Sequence, residues 1–486
     1  MKVSTVIFNS FEFIFLFLPI VWVLYYLLGR LHIPFAKAWL LAASLFFYAF
    51  WNPAYLPLIL ISMVVNYALG HFLGRGVGGD VLRRSIVTVG IMFNVGLLGY
   101  YKYYDFFIEN VNAIFGMDLV VVGILLPLAI SFYTFQQIAY LVDSFRLETK
   151  EYNFLNYGLF VSFFPQLIAG PIVHHREMMP QFSEKKNYRL NYANLSRGLL
   201  IFSIGIFKKV AIADQFAVWA NQGYGQIESL TFVDSWFTTL AYTLQLYYDF
   251  SGYSDMAIGL ALLFNIRLPI NFYSPYKARD IQDFWRRWHK TLSMFLTTYI
   301  YIPLGGNRKG PVRTYINIFI IFLISGIWHG AGWTFLVWGV MHGVASIICR
   351  YWKLAGFKMS DGWAWFTTFL FVHLAWVFFR APTIGEAFTV LKAMFGLNGM
   401  YIPSGAIKIF PNINEEWLVT LVFSTQTIYI YFGLLIGLLL AWYAKNSIEI
   451  MTDNKRTAAL AVFAALLLFY SVMQLQQVSE FLYFNF

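Results

Sequence analysis

An all-α, polytopic membrane fold is what this sequence predicts, and three observations predict it. Hydrophobic residues fill 59% of 486 positions, charged residues only 12%, and long apolar windows recur from one end of the chain to the other. A soluble domain carries roughly a quarter charged residues, so this chain has too little polar surface to wrap its apolar side chains in water. The deficit is spread evenly, which leaves no separate soluble domain.

The first apolar window, 11–28, follows Lys2 and could pass for a secretory signal. It lacks a small-residue cleavage site and is closed by Gly29-Arg30, so it is expected to be the first retained membrane helix. Further windows cover about 36–50, 54–73, 85–101, 119–141, 154–173, 196–220, 232–265, 314–327, 330–349, 363–380, 417–444 and 457–476. They lead us to expect about eleven or twelve spans. Some windows are broken by proline and glycine, at Phe164-Pro165, Gly170-Pro171 and Pro303-Leu304-Gly305-Gly306. Backbone freed there cannot face lipid and should be re-entrant or buried in protein. With no fixed-period repeat and no low-complexity linker, residues 1–486 form one expected membrane domain.

The formal charge is +10. Its densest cluster holds Arg267, Lys277, Arg279, Arg286, Arg287, Lys290, Arg308, Lys309 and Arg313 against only Asp280 and Asp283. Such a cluster marks a cytoplasmic face. It serves either as an orientation signal alone or as a basic mouth for an anionic cofactor such as coenzyme A, with Arg286 and Arg287 the donor-binding candidates. No exposed basic domain accompanies it, which argues against nucleic acid as a partner. The lone Cys349 can form no internal disulfide.

Within this cluster the spacing predicts a helix with Ile281, Trp285, Trp288 and Leu292 on one face and Asp283, Arg287 and Lys290 opposite, an amphipathic interfacial element. His289 falls on its flank beside Trp285, Arg286 and Ser293. On these residues alone a headgroup anchor is favoured over chemistry.

His329 is different, because it sits between two apolar runs in Ser325-Gly326-Ile327-Trp328-His329-Gly330-Ala331-Gly332-Trp333. A titratable side chain at membrane depth is expensive and marks function by default. On a helix its neighbours would be Gly326 and Gly332, leaving room for a reacting group; the competing reading is that the glycines only let helices pack closely. His342 and His373 read as core residues. His174-His175 could suggest a metal pair, but adjacent helical positions do not share a face and no cysteine completes a site, so no metal is assigned. There is no Gly-rich phosphate loop and no Gly-x-Ser-x-Gly elbow. A cofactor-free transfer centred on histidine remains.

Six blocks then carry a resemblance over most of the chain, in order. They are Pro127–Gln136, Phe163–Ile172, Tyr247–Gly259, Phe284–His289, Tyr301–Arg308 and Ser325–Gly330. The chain resembles the membrane-bound O-acyltransferase family, in its branch of bacterial alginate and peptidoglycan O-acetyltransferases. That resemblance implies helices around a central funnel, with His329 at the narrow point and His289 as a second catalytic residue, which reverses the anchor reading. It also implies a multi-pass protein of the bacterial inner membrane, no bound cofactor, acetyl-coenzyme A as cytoplasmic acyl donor, and a separate exported partner with a Ser-His-Asp-type site. One departure is Thr297-Thr298, where many relatives carry Arg-Asp, so an ion pair there is not expected.

The expected mechanism has His329 as general base on an acceptor hydroxyl that attacks the thioester carbonyl, while His289 positions the thioester or donates to the oxyanion. The competing class is a transporter or flippase that moves an acyl or glycan carrier without making bonds. A carrier should show paired repeats, which are not seen.

Lys445, Lys455 and Arg456 mark the last loop as cytoplasmic, which puts the aromatic tail 477–486 outside. The tail is either an interface anchor or, by likeness of its Phe481-x-Tyr483-x-x-Phe486 pattern to a small membrane peptide accompanying D-alanine-transferring relatives, an acyl relay through Tyr483.

Overall fold

The computed structural model describes residues 7–149, 153–168, 170–399, 425–453, 457–475 and 481–482. Among them there are helices and turns and no strand. Among the described residues, seven helices are long and apolar enough to cross a membrane: Glu12–Leu31, Ile33–Trp51, Pro53–Gly74, Asp80–Phe115, Gly310–His329, Trp333–Leu354 and Asp361–Arg380. Tyr429–Tyr443 and Ala458–Gln474 are apolar but shorter.

Seven is fewer than the windows led us to expect; part of the 417–444 window lies outside the described residues, and two other windows fall short for local reasons. The 119–141 window becomes helical only from Ile130, because Val120–Val122, Gly123 and Pro127 favour extended backbone before it. The 154–173 window is split at Phe163 into Phe154–Ser162 and the short Phe164–Leu167, with Pro165 at the second start. Its broken backbone is buried in protein, as expected. By contrast, Ile302 and Pro303 lie exposed on the surface, so the Pro303–Gly306 break is a surface turn.

The helix Phe232–Leu263 is the centre of the molecule, since every residue from Ala241 to Leu263 is buried. It crosses Tyr192–Phe207 closely. A Cβ on Gly205 would lie 2.6 Å from the Gly252 carbonyl oxygen, and one on Gly198 2.8 Å from that of Gly259. Small residues seven apart on both helices thus set the crossing.

Besides Glu12–Phe17 in the first span, π-helical turns at Gly99–Tyr103, Lys208–Ala213 and Thr297–Tyr301 interrupt the α-helical ladder. Such turns re-aim side chains. The Lys208–Ala213 turn brings Lys208 to Asp255 at 2.7 Å and Lys209 to Asp249 and Asp214, each at 2.7 Å. Charges buried among helices persist where they are paired in this way.

Candidate active site

His329 is the last residue of the Gly310–His329 helix, which ends because Gly330 and Gly332 adopt extended backbone before Trp333–Leu354 begins. The glycines serve packing. A Cβ on Gly326 would meet the Phe335 carbonyl oxygen at 2.4 Å, and one on Gly339 that of Phe322 at 2.6 Å. The expectation of open space beside the imidazole is therefore corrected: the two helices of the hairpin fill it. His329 is 2% exposed, and aromatic rings enclose it, Trp328 at 4.9 Å, Trp338 at 5.0 Å and Phe379 at 5.3 Å between centroids.

The carbonyls at this helix end point away from their own helix and need donors. Lys102, on the π-helical turn of a neighbouring span, donates to the carbonyls of Trp328 at 2.5 Å and His329 at 3.1 Å and lies 3.4 Å from Ser131 Oγ. Tyr103 Oη donates to the Ile327 carbonyl at 2.6 Å. A donor at the carbonyl end of the helix thus holds the backbone that carries the imidazole. Sequence reasoning missed Lys102; the available signal was a lysine among tyrosines at the end of an apolar run.

His289 arrives by another route. The expected continuous helix is interrupted. Ile281–Arg287 stops, Trp288 is extended, His289 is left-handed at φ 43°, and a second helix spans Lys290–Leu296. Asp280 caps the first by accepting from the backbone N–H groups of Gln282 and Asp283. Burial pushes the Asp280 carboxyl up, but the Lys353 hydrogen bond and those backbone donors together hold it below the usual carboxylate range. Backbone freed at the break is satisfied by an extended segment: Tyr273 N–H donates to the Arg287 carbonyl and Lys290 N–H to that of Asn271. His289 therefore leaves the flank of an interfacial helix and is fully buried.

Asn271 fixes its tautomer. Asn271 Oδ1 accepts from Thr291 Oγ1 at 2.9 Å and the Thr291 N–H at 3.3 Å, so it is an oxygen, and His289 Nδ1 at 3.1 Å must donate to it. In the neutral ring Nε2 then carries the lone pair. Burial pushes this imidazole down to about 3, so it is neutral at ordinary pH. Donation from His289 to an oxyanion would need a proton on Nε2, which this arrangement places there only when the ring is doubly protonated.

The two imidazoles converge, with centroids 6.4 Å apart and Trp328 against both. Phe250 of the central helix stands edge-on to His289 at 4.9 Å. Phe481 packs on Tyr253 at 4.4 Å and Phe250 at 6.4 Å, and Leu482 N–H donates to Asp249 Oδ2 at 2.9 Å. Phe481 is thus buried in protein, not an anchor at the lipid surface. Tyr483 and Phe486 lie outside the described residues.

The arginine candidates separate. Arg286 is exposed, whereas Arg287 is tied to Asp283 at 3.0 Å. His342 Nδ1 accepts from Trp285 Nε1, and His373 bonds Thr243 and Thr239; both are buried core residues, and only His373 has both ring nitrogens engaged. Thr297 Oγ1 donates to the Ser293 carbonyl. The argument against a His174-His175 pair is overturned, because His174 precedes its helix in extended backbone and His175 begins it; the rings lie 4.8 Å apart with Asp143 against both. A cavity of about 560 Å³ lies between Tyr192–Phe207 and Ala458–Gln474, lined by Arg197, Asp453, small hydroxyl residues and apolar side chains, and reaches neither catalytic candidate.

Comparison with known proteins gives this geometry a context. Residues 49–382 match the profile of the membrane-bound O-acyltransferase family. The chain is 45% identical to a peptidoglycan O-acetyltransferase of Helicobacter pylori, over 100% of this chain and 98% of the relative. It is 41% identical to a probable alginate O-acetylase, AlgI, of Pseudomonas aeruginosa, over 80% and 75% of the two chains. A teichoic acid D-alanyltransferase of Bacillus subtilis is 27% identical over 45% of this chain and 57% of its own.

Proposed function

We propose that this chain, which belongs to the membrane-bound O-acyltransferase family and is a multi-pass membrane-bound O-acetyltransferase, takes an acetyl group from a cytoplasmic thioester and hands it across the bacterial inner membrane for O-acetylation of an extracytoplasmic polysaccharide. Its relatives' names support O-acyl transfer to peptidoglycan or alginate. Membership in this family also disfavours a carrier that makes no bonds. The observation that carries the reading is the meeting of two buried imidazoles from separate helix ends.

The donor is acetyl-coenzyme A, drawn to the basic face by Arg286. The acceptor is Tyr483, for which the support is local: Phe481 and Leu482, immediately before it, pack on Phe250 and Asp249, and Phe250 touches His289. A phenol ionises near pKa ~10, far more readily than an aliphatic alcohol, and its ester is the better acyl donor. Its oxygen attacks the thioester carbonyl carbon and the C–S bond breaks. His329 takes the phenolic proton and returns it to the departing thiolate. His289, edge-on to Phe250, positions the thioester for that attack. The serine of an exported Ser-His-Asp-type partner then attacks the aryl ester, and Tyr483 regains its proton.

The test is Tyr483→Phe, with polymer acetylation measured by mass spectrometry. Loss of acetylation at normal membrane abundance is expected; near-normal acetylation rejects the relay.

A further inference from the structure

We propose that Asp143, His174 and His175 form a site for one divalent transition-metal ion of the zinc class, with Tyr299 as its fourth ligand. The cluster lies at the end of the Ile130–Phe145 helix, where a helix entry and the Thr297–Tyr301 turn meet it. One oxygen is shared by all three neighbours. Asp143 Oδ2 stands 3.1 Å from His174 Nε2, 3.4 Å from His175 Nδ1 and 2.8 Å from the Tyr299 hydroxyl. The Tyr299 hydroxyl also touches His174 Nε2.

Hydrogen bonding alone leaves this arrangement incomplete. His175 is 3% exposed, yet its Nδ1 makes no hydrogen bond despite facing a carboxylate oxygen. A buried ring nitrogen in that condition is costly, and both atoms being aimed at a common point would explain it. The three ligand atoms all lie within 4.8 Å of one another. A tetrahedral ion with bonds of about 2.05 Å sets its ligands about 3.3 Å apart, close to the two separations to Asp143. Two imidazole nitrogens, a carboxylate and a phenol suit zinc and its neighbours; calcium and magnesium prefer oxygen throughout.

Charge bears on the fourth ligand. Arg146 lies 3.8 Å from Asp143 Oδ1, its guanidinium carbon 5.9 Å from the Tyr299 ring centre. This cation opposes a bare dication, but loss of the Tyr299 proton on binding gives two anionic ligands for two metal charges. The ion would clip the Thr297–Tyr301 turn to the Ile130–Phe145 helix. It would also steady the segment whose Ile172 N–H donates to Thr291, the residue bonded to the same Asn271 oxygen as His289.

The experiment uses the full chain in detergent, stripped with a chelator, dialysed against zinc or cobalt, and washed. Elemental analysis is expected to find one ion per chain, and the cobalt form to show the intense visible absorption of a tetrahedral site. His175→Gln should lower retained metal at least about tenfold with an unchanged size-exclusion profile, and Tyr299→Phe should shift the cobalt spectrum. Absence of retained metal in the unaltered protein overturns the proposal whatever the variants do. Equal retention by His175→Gln marks an adventitious ion only and overturns it as well.

Discussion

His329 and His289 reach the same place by opposite means. His329 closes a helix of 20 residues whose last carbonyls are held by Lys102 and Tyr103 from another span, so tertiary structure sets its position. His289 sits in a break between two helices of seven residues, in left-handed backbone, with its ring fixed by Asn271 only 18 positions earlier. The difference teaches that the first imidazole should be vulnerable to changes far away in sequence, and the second to changes in its own backbone.

The largest effect should come from removing the first imidazole. His329→Ala is expected to cut acetylation by about a thousandfold or more, within the range of general-base catalysis, while membrane abundance stays normal. Acetylation at the unaltered level would sink the assignment.

A paired substitution at His289 tests the local half of the comparison. Non-glycine residues at positive φ are costly, and asparagine tolerates the left-handed region better than most. His289→Asn and His289→Ala should both lower the acetylation rate by about a hundredfold. The Asn variant should melt higher. Equal melting temperatures would show that the backbone break contributes no constraint.

The tertiary half is tested by Lys102→Met, which removes the donor to two carbonyls at the His329 helix end. A misplaced imidazole is expected to cost about tenfold to a hundredfold in kcat, with KM for the donor little changed. Lys102→Arg should recover part of the loss, since it restores a donor to these carbonyls. A change confined to KM would mean that Lys102 meets the donor and does not position His329.

What the sequence made legible follows the same division. Composition and hydropathy disclosed a helical membrane protein because lipid imposes a uniform rule on every span. His329 stood out because a titratable group in an apolar run has few bland explanations. The helix break at His289 was not legible, since Trp285, Trp288 and Leu292 keep an amphipathic spacing across it; only the extended segment at Asn271–Tyr273 makes the break affordable to the backbone. Nor could spacing show that Gly326 is filled by Phe335, or that Asp143 meets His174 and His175. Such contacts depend on how one element packs on another, and periodicity carries no information about them.

The smallest expected effect separates the two arginines that precede His289. Both were donor-binding candidates by charge, yet only Arg286 is exposed, while Arg287 Nε lies 3.0 Å from both oxygens of Asp283 and its Nη1 reaches toward the Tyr273 carbonyl. An arginine already engaged by a carboxylate offers little net charge to a cofactor phosphate. Arg286→Gln should therefore raise KM for acetyl-coenzyme A about threefold to tenfold at low salt, an effect that fades as ionic strength rises, because exposed charges are screened. Arg287→Gln should leave KM nearly unchanged and instead lower kcat and thermal stability, because it frees Asp283 and loosens the Tyr273–Arg287 pairing that shapes the break before His289. A salt-dependent KM change in Arg287→Gln, with none in Arg286→Gln, would reverse these roles and place the donor on the other side of the helix.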